Sequence, residues 1–317
     1  MNDSVIVVGA GIVGATTAWR LAERGWEVEL WSDVDWAETT SAVAAAIWRP
    51  YRVEPEIDVL RWSRRTLEIY QELARSPDTG VTMVPGLELG RAPMPDPGWA
   101  AALPSFTHAG ADRLPPGYVD ALAYTAPVIA MNTHLPWLID QVRQMGVQVR
   151  RQRVTDLSAL GRSFPHVVNA TGLGARSLVP DPGVYPVRGQ VLRLTNPGLT
   201  EFRLDYDHPD GLTYVVPRGA DVIVGGTDQE NNWNTEVDDD ESDEILTRCR
   251  ALCPELGDAQ ILDRSVGLRP ARASVRVARE NTREGRLYHN YGHGGAGVTT
   301  AWGCADDVAE LVGSPSH

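Results

Sequence analysis

Gly9, Gly11 and Gly14 fall at G-x-G-x-x-G spacing in VIVVGAGIVGATTAWRL, directly after the β-prone residues Val5, Ile6, Val7 and Val8. This order is the fingerprint of a dinucleotide crevice. Gly9 allows the tight turn out of the strand, Gly11 leaves no side chain where a pyrophosphate must approach backbone N–H groups, and Gly14 lets the helix close on the strand. The helix that follows, patterned by Ile12, Val13, Thr16, Ala18 and Leu21, turns its positive end toward the phosphates. A second strand over 26–31 leads to Asp33, about 20 residues past Gly14, where a carboxylate accepts a hydrogen bond from a ribose hydroxyl. The unphosphorylated ribose of FAD or NAD suits that carboxylate better than NADP does. A glycine-rich turn with no ligand is the competing reading, and the strand before and helix after the motif weigh against it.

A second glycine cluster, HNYGHGGAGVT over 289–299, answers the first, so two distant segments are placed to meet on one ligand. Ahead of it, VGLRPARASVRVARE carries Arg269, Arg272, Arg276 and Arg279, with Arg264 just before. Alternation over 274–278 sets Arg276 on the face opposite Val275 and Val277. A guanidinium on such a face grips a carboxylate bidentately and stays charged. Surface ion pairs with the abundant Asp and Glu are the plainer reading for Arg269 and Arg279. Tyr214, in TYVVPR, either donates a second hydrogen bond into the same pocket or sits in the core as an aromatic strand residue. Thr39, Thr40 and Ser41, followed by Ala44, Ala45 and Ala46, either run beside a cofactor or begin an ordinary capped helix.

These residues need elements to hold them. Residues 55–75 read as an amphipathic helix through Ile57, Leu60, Trp62, Leu67, Ile69, Tyr70 and Leu73. Asn132 and Thr133 are candidate caps for a helix over 135–145 with Pro136 in its first turn, closed by Gly146 and followed by a strand at 147–149. The strand 167–170 enters Thr171-Gly172-Leu173-Gly174 and returns the chain to the nucleotide-binding sheet. Strands at 185–194, 202–206, 213–216 and 222–225 then build a mainly antiparallel region. A helix over 242–252 is entered through the solvated run Asp238, Asp239 and Asp240, which lacks the flanking ligands of a metal site.

With 317 residues the chain has room for two domains or one large α/β unit. The net charge of −13 and pI near 5.0 exclude a phosphate-backbone binder of the usual basic kind. Cys249, Cys253 and Cys304 are too few, and odd in number, for a disulfide framework. Cys249 and Cys253 at i,i+4 point outward along one helix face, which suits a bridge poorly. The apolar N-terminal run is broken by glycines, preceded by Asp3 rather than a basic segment, and too short to span a bilayer.

GAGIVG, TTSAVAAAIWRPY, NATGLGA, RGQ at 188–190, TYVVPRG, VGGTDQENNW, GLRPARASVRVARE and HNYGHGGAGVTTAWGCA, in this order from residue 5 to about 311, resemble the D-amino-acid oxidases. The chain resembles them more than their D-aspartate oxidase siblings. The resemblance implies a FAD flavoprotein that oxidises D-amino acids to imino acids by hydride transfer from Cα to flavin N5, with O₂ returning the flavin and yielding hydrogen peroxide. The imine then hydrolyses to a 2-oxo acid and ammonia. By matching motif positions, Arg276 holds the substrate carboxylate, Tyr214 assists it, and the Gly295 carbonyl accepts from the amine. Gly9, Ala10, Gly11, Ile12, Val13 and Gly14 take the pyrophosphate region and Asp33 the ribose. Thr39, Thr40, Ser41, Ala46 and Ile47 line the middle, Val154 the adenine, and Gly294, Gly295, Gly297, Val298 and Thr299 the isoalloxazine. His289 and His293 are structural in this reading.

The expected fold is α/β. A discontinuous Rossmann-type FAD-binding domain comprises 1–50, 130–185 and 285–317, and a mainly antiparallel β-sheet substrate domain with helices comprises 51–129 and 186–284. Three departures from the family pattern matter. Asp228 stands in GGTDQ where aspartate-oxidising members carry arginine, so neutral or basic substrates are expected. The stretch 207–211 is short and polar where mammalian members have an aromatic lid, and Ala296 replaces an aromatic found in some relatives. The tail 313–317 lacks a Ser-Lys-Leu-type signal, which points to a cytoplasmic location. The partners implied are a D-amino acid and O₂, with neither nucleic acid nor membrane nor metal, and a homodimer is a candidate assembly. Two other readings stand beside this one: a glycine-oxidase-like flavin amine oxidase or dehydrogenase, and a flavoprotein that senses D-amino acids without turnover.

Overall fold

In the computed structural model, the described residues are 4–313; Asp3 and the tail 314–317, on which the targeting expectations rest, lie outside them. The strands are β1 (Ser4–Val8), β2 (Glu27–Ser32), β3 (Val81–Gly90), β4 (Phe106–His108), β5 (Asp120–Ile129), β6 (Gln148–Arg151), β7 (His166–Asn169), β8 (Tyr185–Thr195), β9 (Phe202–Asp205), β10 (Thr213–Arg218), β11 (Asp221–Gly225), β12 (Gln229–Glu230), β13 (Ile261–Asn281) and β14 (Arg286–His293). The helices are α1 (Ile12–Glu23), α2 (Thr40–Val43), α3 (Glu56–Leu73), α4 (Met131–Gln144), α5 (Leu157–Leu160), α6 (Ala175–Leu178), α7 (Asp239–Leu252) and α8 (Gly297–Val312). The fold is mixed α/β.

All the strands join one hydrogen-bonded sheet in the order β4-β5-β3-β9-β10-β11-β8-β13-β14-β7-β1-β2-β6, with β12 on β8. From β14 to β6 the pairs are parallel, and from β13 to β4 they are antiparallel except β3 with β9. β1 is buried along its whole length, which explains its unbroken apolar run: a parallel strand covered on both faces has no polar side. Its neighbours are β2 on one side and β7 on the other, so the order reverses at β1. The carboxyl end of β1 is therefore a switch point, where open α/β sheets bind ligands.

β13 joins the two halves. Its residues 261–271 pair with β8 and its residues 276–281 with β14, and between Ala271 and Arg276 the register shifts. α1 and α8 lie together, with the Thr16 hydroxyl donating to Ala301 O at 3.3 Å. Gly303 brings α8 against α3: a Cβ there would stand 2.4 Å from Trp62 Cα.

The helix read over 55–75 forms as α3 and buries Val59, Trp62, Leu67 and Tyr70. Ile57, expected on that face, is 83% exposed, because the first turn of the helix extends past the packed surface. α4 begins earlier than expected, with Ala130 as its N-cap, so Asn132 and Thr133 lie inside the first turn and Pro136 beyond it. The acidic run enters α7 as expected: the Asp238 carboxylate accepts from Glu241 N at 3.1 Å. All three cysteines are free and buried, and burial pushes the Cys249 thiol up to about 12 and Cys253 to about 11. No helix among the described residues is long and apolar enough to cross a membrane.

Burial pushes His134 and His293 down to about 4, so both fold as neutral rings. In the unfolded chain they titrate near 6.5. Below that pH the unfolded state takes up protons that the folded state refuses. The stability present at neutral pH is therefore lost as pH falls from about 6.5 toward 4. The denaturant midpoint should fall between about pH 7 and pH 5. A level midpoint across that window contradicts the burial of these rings as neutral groups.

Candidate active site

A cavity of about 460 Å³ runs from the carboxyl ends of β1 and β2 to the antiparallel part of the sheet. Its first wall is the turn from β1 into α1. Gly9 takes φ +112°, and Gly9, Ala10, Gly11, Ile12 and Val13 face the space. Ser41 closes on this turn, its Oγ accepting from Ile12 N at 3.1 Å, and a Cβ on Gly11 would stand 3.0 Å from that oxygen. Asp33, just past β2, lines the same end with Val154. Thr39, Thr40, Ala46 and Ile47 carry the wall inward, and the Thr40 hydroxyl donates to Leu268 O at 3.1 Å, tying it to β13.

Gly294, Gly295, Gly297 and Val298 line the middle, where β14 ends and α8 begins. Two of the expected cofactor residues do not reach the cavity. Gly14 packs against Gly9 O, which is the helix-on-strand contact its spacing implies. Thr299 instead clamps Arg49, its hydroxyl accepting from Arg49 N at 3.2 Å and donating to Arg49 O at 3.1 Å.

At the far end stand Arg269, Tyr214 and Gly295. Arg269 Nη1 donates to Thr227 O at 2.9 Å, and its guanidinium lies flat over Gly189, where a Cβ would come within 2.3 Å of it. A Cβ on Gly295 would lie 3.6 Å from Arg269 Cδ and 3.5 Å from Tyr51 Cδ1, so all three residues border one small space. The Tyr214 ring crosses Gly225 and Gly226 in the VGG turn. Burial raises the Tyr214 phenol above its usual value against the pull of Arg269, so it is a neutral donor.

Arg276, expected to hold a carboxylate here, lies outside the cavity. Its Nη1 donates to the Tyr291 hydroxyl at 2.7 Å and its Nη2 to Glu280 at 3.0 Å. The alternation around it is as expected, with Val275 buried on the other side beside Val59, Trp62 and Cys304. This alternation does not continue along β13 to the pocket. Positions 271 and 276 of β13 oppose 293 and 291 of β14, so the intervening residues bulge and the facing is reset. Among the described arginines of β13, Arg269, before the bulge, is the one that lines the cavity.

Arg49, Tyr51 and Tyr206 also line this end, and none of them stands out in sequence. Tyr51 and Tyr206 stack at 4.7 Å, which supplies aromatic cover that the polar stretch 207–211 does not suggest. Burial and the nearby Asp228 push the Tyr51 phenol up to about 12. Asp228 itself pairs with Arg52 at 2.6 Å and accepts from the Tyr51 hydroxyl at 3.3 Å. The carboxylate is thereby paired at the rim with a largely exposed guanidinium. His289 and His293 are buried with lowered values, caused first by burial.

The cavity suits a flavin dinucleotide. Neither α1 nor α8 has a side-chain cap from its own N-cap residue or an acidic residue in its first turn, and Ser41 engages only the Ile12 N–H, so two helix N-termini face negative charge along the wall. His293 Nε2 and Asn290 Oδ1, both at the wall, are buried polar atoms with no hydrogen-bond partner among the described residues. A dinucleotide crevice continuous with an arginine and tyrosine pocket defines a flavin-dependent oxidoreductase, and residues 4–311 match the family described as FAD dependent oxidoreductase.

The D-amino-acid oxidase of Rubrobacter xylanophilus is 44% identical over 311 residues, covering 98% of this chain and 95% of that protein. The D-aspartate oxidase of Homo sapiens is 37% identical over 330 residues, covering 99% and 95%. Among solved structures, glycine oxidase from Geobacillus kaustophilus shares the fold, with TM-score 0.81, 19% identity and coverage of 99% and 95%. The chain belongs to the D-amino-acid oxidase family of FAD-dependent enzymes, nearer in sequence to that oxidase than to the D-aspartate oxidase.

Proposed function

We propose that the protein oxidises D-amino acids with uncharged side chains to 2-oxo acids and ammonia, using FAD and O₂. The observation that carries this is the placement of Arg269, Tyr214 and Gly295 at the end of a cavity whose other end is the Gly9–Gly11 crevice. Bound FAD supplies a two-electron acceptor that O₂ reoxidises with formation of hydrogen peroxide. Residues 1–50, 130–185 and 285–317 would hold it, and 51–129 and 186–284 would supply most of the substrate wall.

In this reading Arg269 takes the place expected of Arg276. Its planar fork holds the substrate carboxylate, the Tyr214 phenol donates a further hydrogen bond, and the Gly295 carbonyl accepts from the amine. Three fixed contacts leave one orientation for Cα–H. We assign hydride loss from Cα, for which the chain supplies orientation and electrostatics rather than a base. The released imine hydrolyses in water. Tyr51, Leu204, Tyr206 and Leu212 favour uncharged, apolar side chains. Free thiols accord with a cytoplasmic location.

Peroxide release across matched D- and L-amino acids tests the proposal: D-alanine and larger apolar D-amino acids should turn over and their L-enantiomers should not. Substrate loss that outruns O₂ consumption would instead indicate a dehydrogenase. Flavin that stays yellow with substrate in the absence of air would indicate a sensor.

A further inference from the structure

We propose that Glu88 determines the side-chain specificity of this pocket: it neutralises Arg49 in the wall, so that acidic D-amino acids find no second cation and uncharged side chains meet a wall without net charge. The proposal rests on the reading of the cavity as a D-amino-acid site.

Arg49 is held at both ends. Thr299 clamps its backbone, as described above, and each of its three side-chain nitrogens donates to protein. Nε and Nη2 donate to Glu88 at 3.2 and 2.5 Å, and Nη1 donates to Pro50 O at 2.7 Å. Glu88 lies on β3, 3% exposed, and accepts in addition from the Tyr124 hydroxyl at 3.2 Å. Burial lowers the pKa of Arg49, but the Glu88 charge outweighs it and the net direction is up, so the ion pair persists. The flat faces of the guanidinium meet aromatic rings, with Cζ 4.5 Å from the Tyr206 centroid and 5.6 Å from Trp99.

A buried pair of this kind adds little net stability, because desolvation offsets its attraction. It does set the local potential. An uncompensated cation in a low-dielectric wall would draw a carboxylate strongly. Arg269 offers that attraction, since it contacts a carbonyl and a phenol but has no carboxylate partner among the described residues. Arg49 offers none while Glu88 is in place. One open cation also means one docking orientation: with two, the α-carboxylate of a substrate would have two competing anchors.

D-Glutamate and D-glutamine differ in charge but hardly in shape, so the ratio of their kcat/KM values isolates the effect. In Glu88→Gln that ratio should rise by about tenfold or more, mainly through a lower KM for D-glutamate. In Arg49→Met/Glu88→Leu, where the wall is again uncharged, it should return to the native value. An unchanged ratio in a Glu88→Gln protein that turns over D-glutamine overturns the role of Glu88. The native holoenzyme provides a measurement free of folding defects. Titration of flavin absorbance with butyrate and succinate should show the monocarboxylate binding more tightly. Tighter binding of succinate would overturn the proposal even if Glu88→Gln fails to fold. Absence of turnover with any D-amino acid overturns the reading of the site itself, and the inference with it.

Discussion

Replacing Arg269 with alanine is expected to lower kcat/KM for an apolar D-amino acid by about a thousandfold, while Arg276→Ala stays within about threefold of the native value. The difference follows from what each guanidinium touches. Arg269 faces the cavity beside Tyr214 and Gly295, and each charge-assisted hydrogen bond to a carboxylate is worth about 1.5–3 kcal/mol. Loss of a bidentate pair therefore removes about 4 kcal/mol from the transition state, or about three powers of ten. Arg276 bonds Tyr291 and Glu280 and stands partly in solvent, so its removal disturbs a peripheral network. Peroxide release under substrate-limited conditions measures both variants. Equal and large losses in the two would return the carboxylate anchor to Arg276.

That contrast also marks where the sequence stops being legible. The crevice formed by Gly9, Gly11 and Asp33 could be read because a turn, an uncovered helix end and a strand end are local features with fixed spacing. For Tyr214 only the hairpin was legible; that its ring crosses Gly225, its partner across the pair, follows from the register and not from the spacing of TYVVPR. Arg269 and Arg276 differ only in which side of a register shift they occupy, and nothing in GLRPARASVRVARE announces that shift. Its cause is the pairing of β13 with two different partners, which is a property of the sheet.

Arg49, Tyr51 and Tyr206 were hidden for a related reason. Arg49 and Tyr51 lie in an irregular segment after α2, and Tyr206 just past β9; the contacts that make them a wall cross from one segment to another. Asp228 shows the converse limit. Its carboxylate was visible as a departure from the aspartate-oxidising pattern, but its effect depends on Arg52, which sequence does not place beside it. The positive φ of Arg52, +43°, belongs to the turn that swings it to the rim.

The substitution Gly14→Ala should give a protein that has lost most of its flavin, with affinity reduced by about a hundredfold or more and the thermal midpoint lowered. A Cβ at this position would stand 1.7 Å from Gly9 O and 2.9 Å from Gly9 C. Both are backbone atoms of the turn itself, so no side-chain rotation relieves the overlap. Either α1 lifts away from β1 or the Gly9 carbonyl turns aside, and each motion displaces the first turn of α1, with the Ile12 N–H held by Ser41, from the cavity wall. The helix end then no longer presents its positive pole to the pyrophosphate. Gly14 does not line the cavity, so direct steric exclusion of the ligand is not available as an explanation. The ratio of flavin to protein absorbance after purification reports the loss, and far-UV circular dichroism separates a folded apoprotein from an unfolded one. Native flavin content together with an unshifted midpoint would mean that α1 tolerates the displacement, and the crevice would then owe its ligand affinity to the residues around Ser41 and the start of α8 rather than to the tight β1–α1 turn.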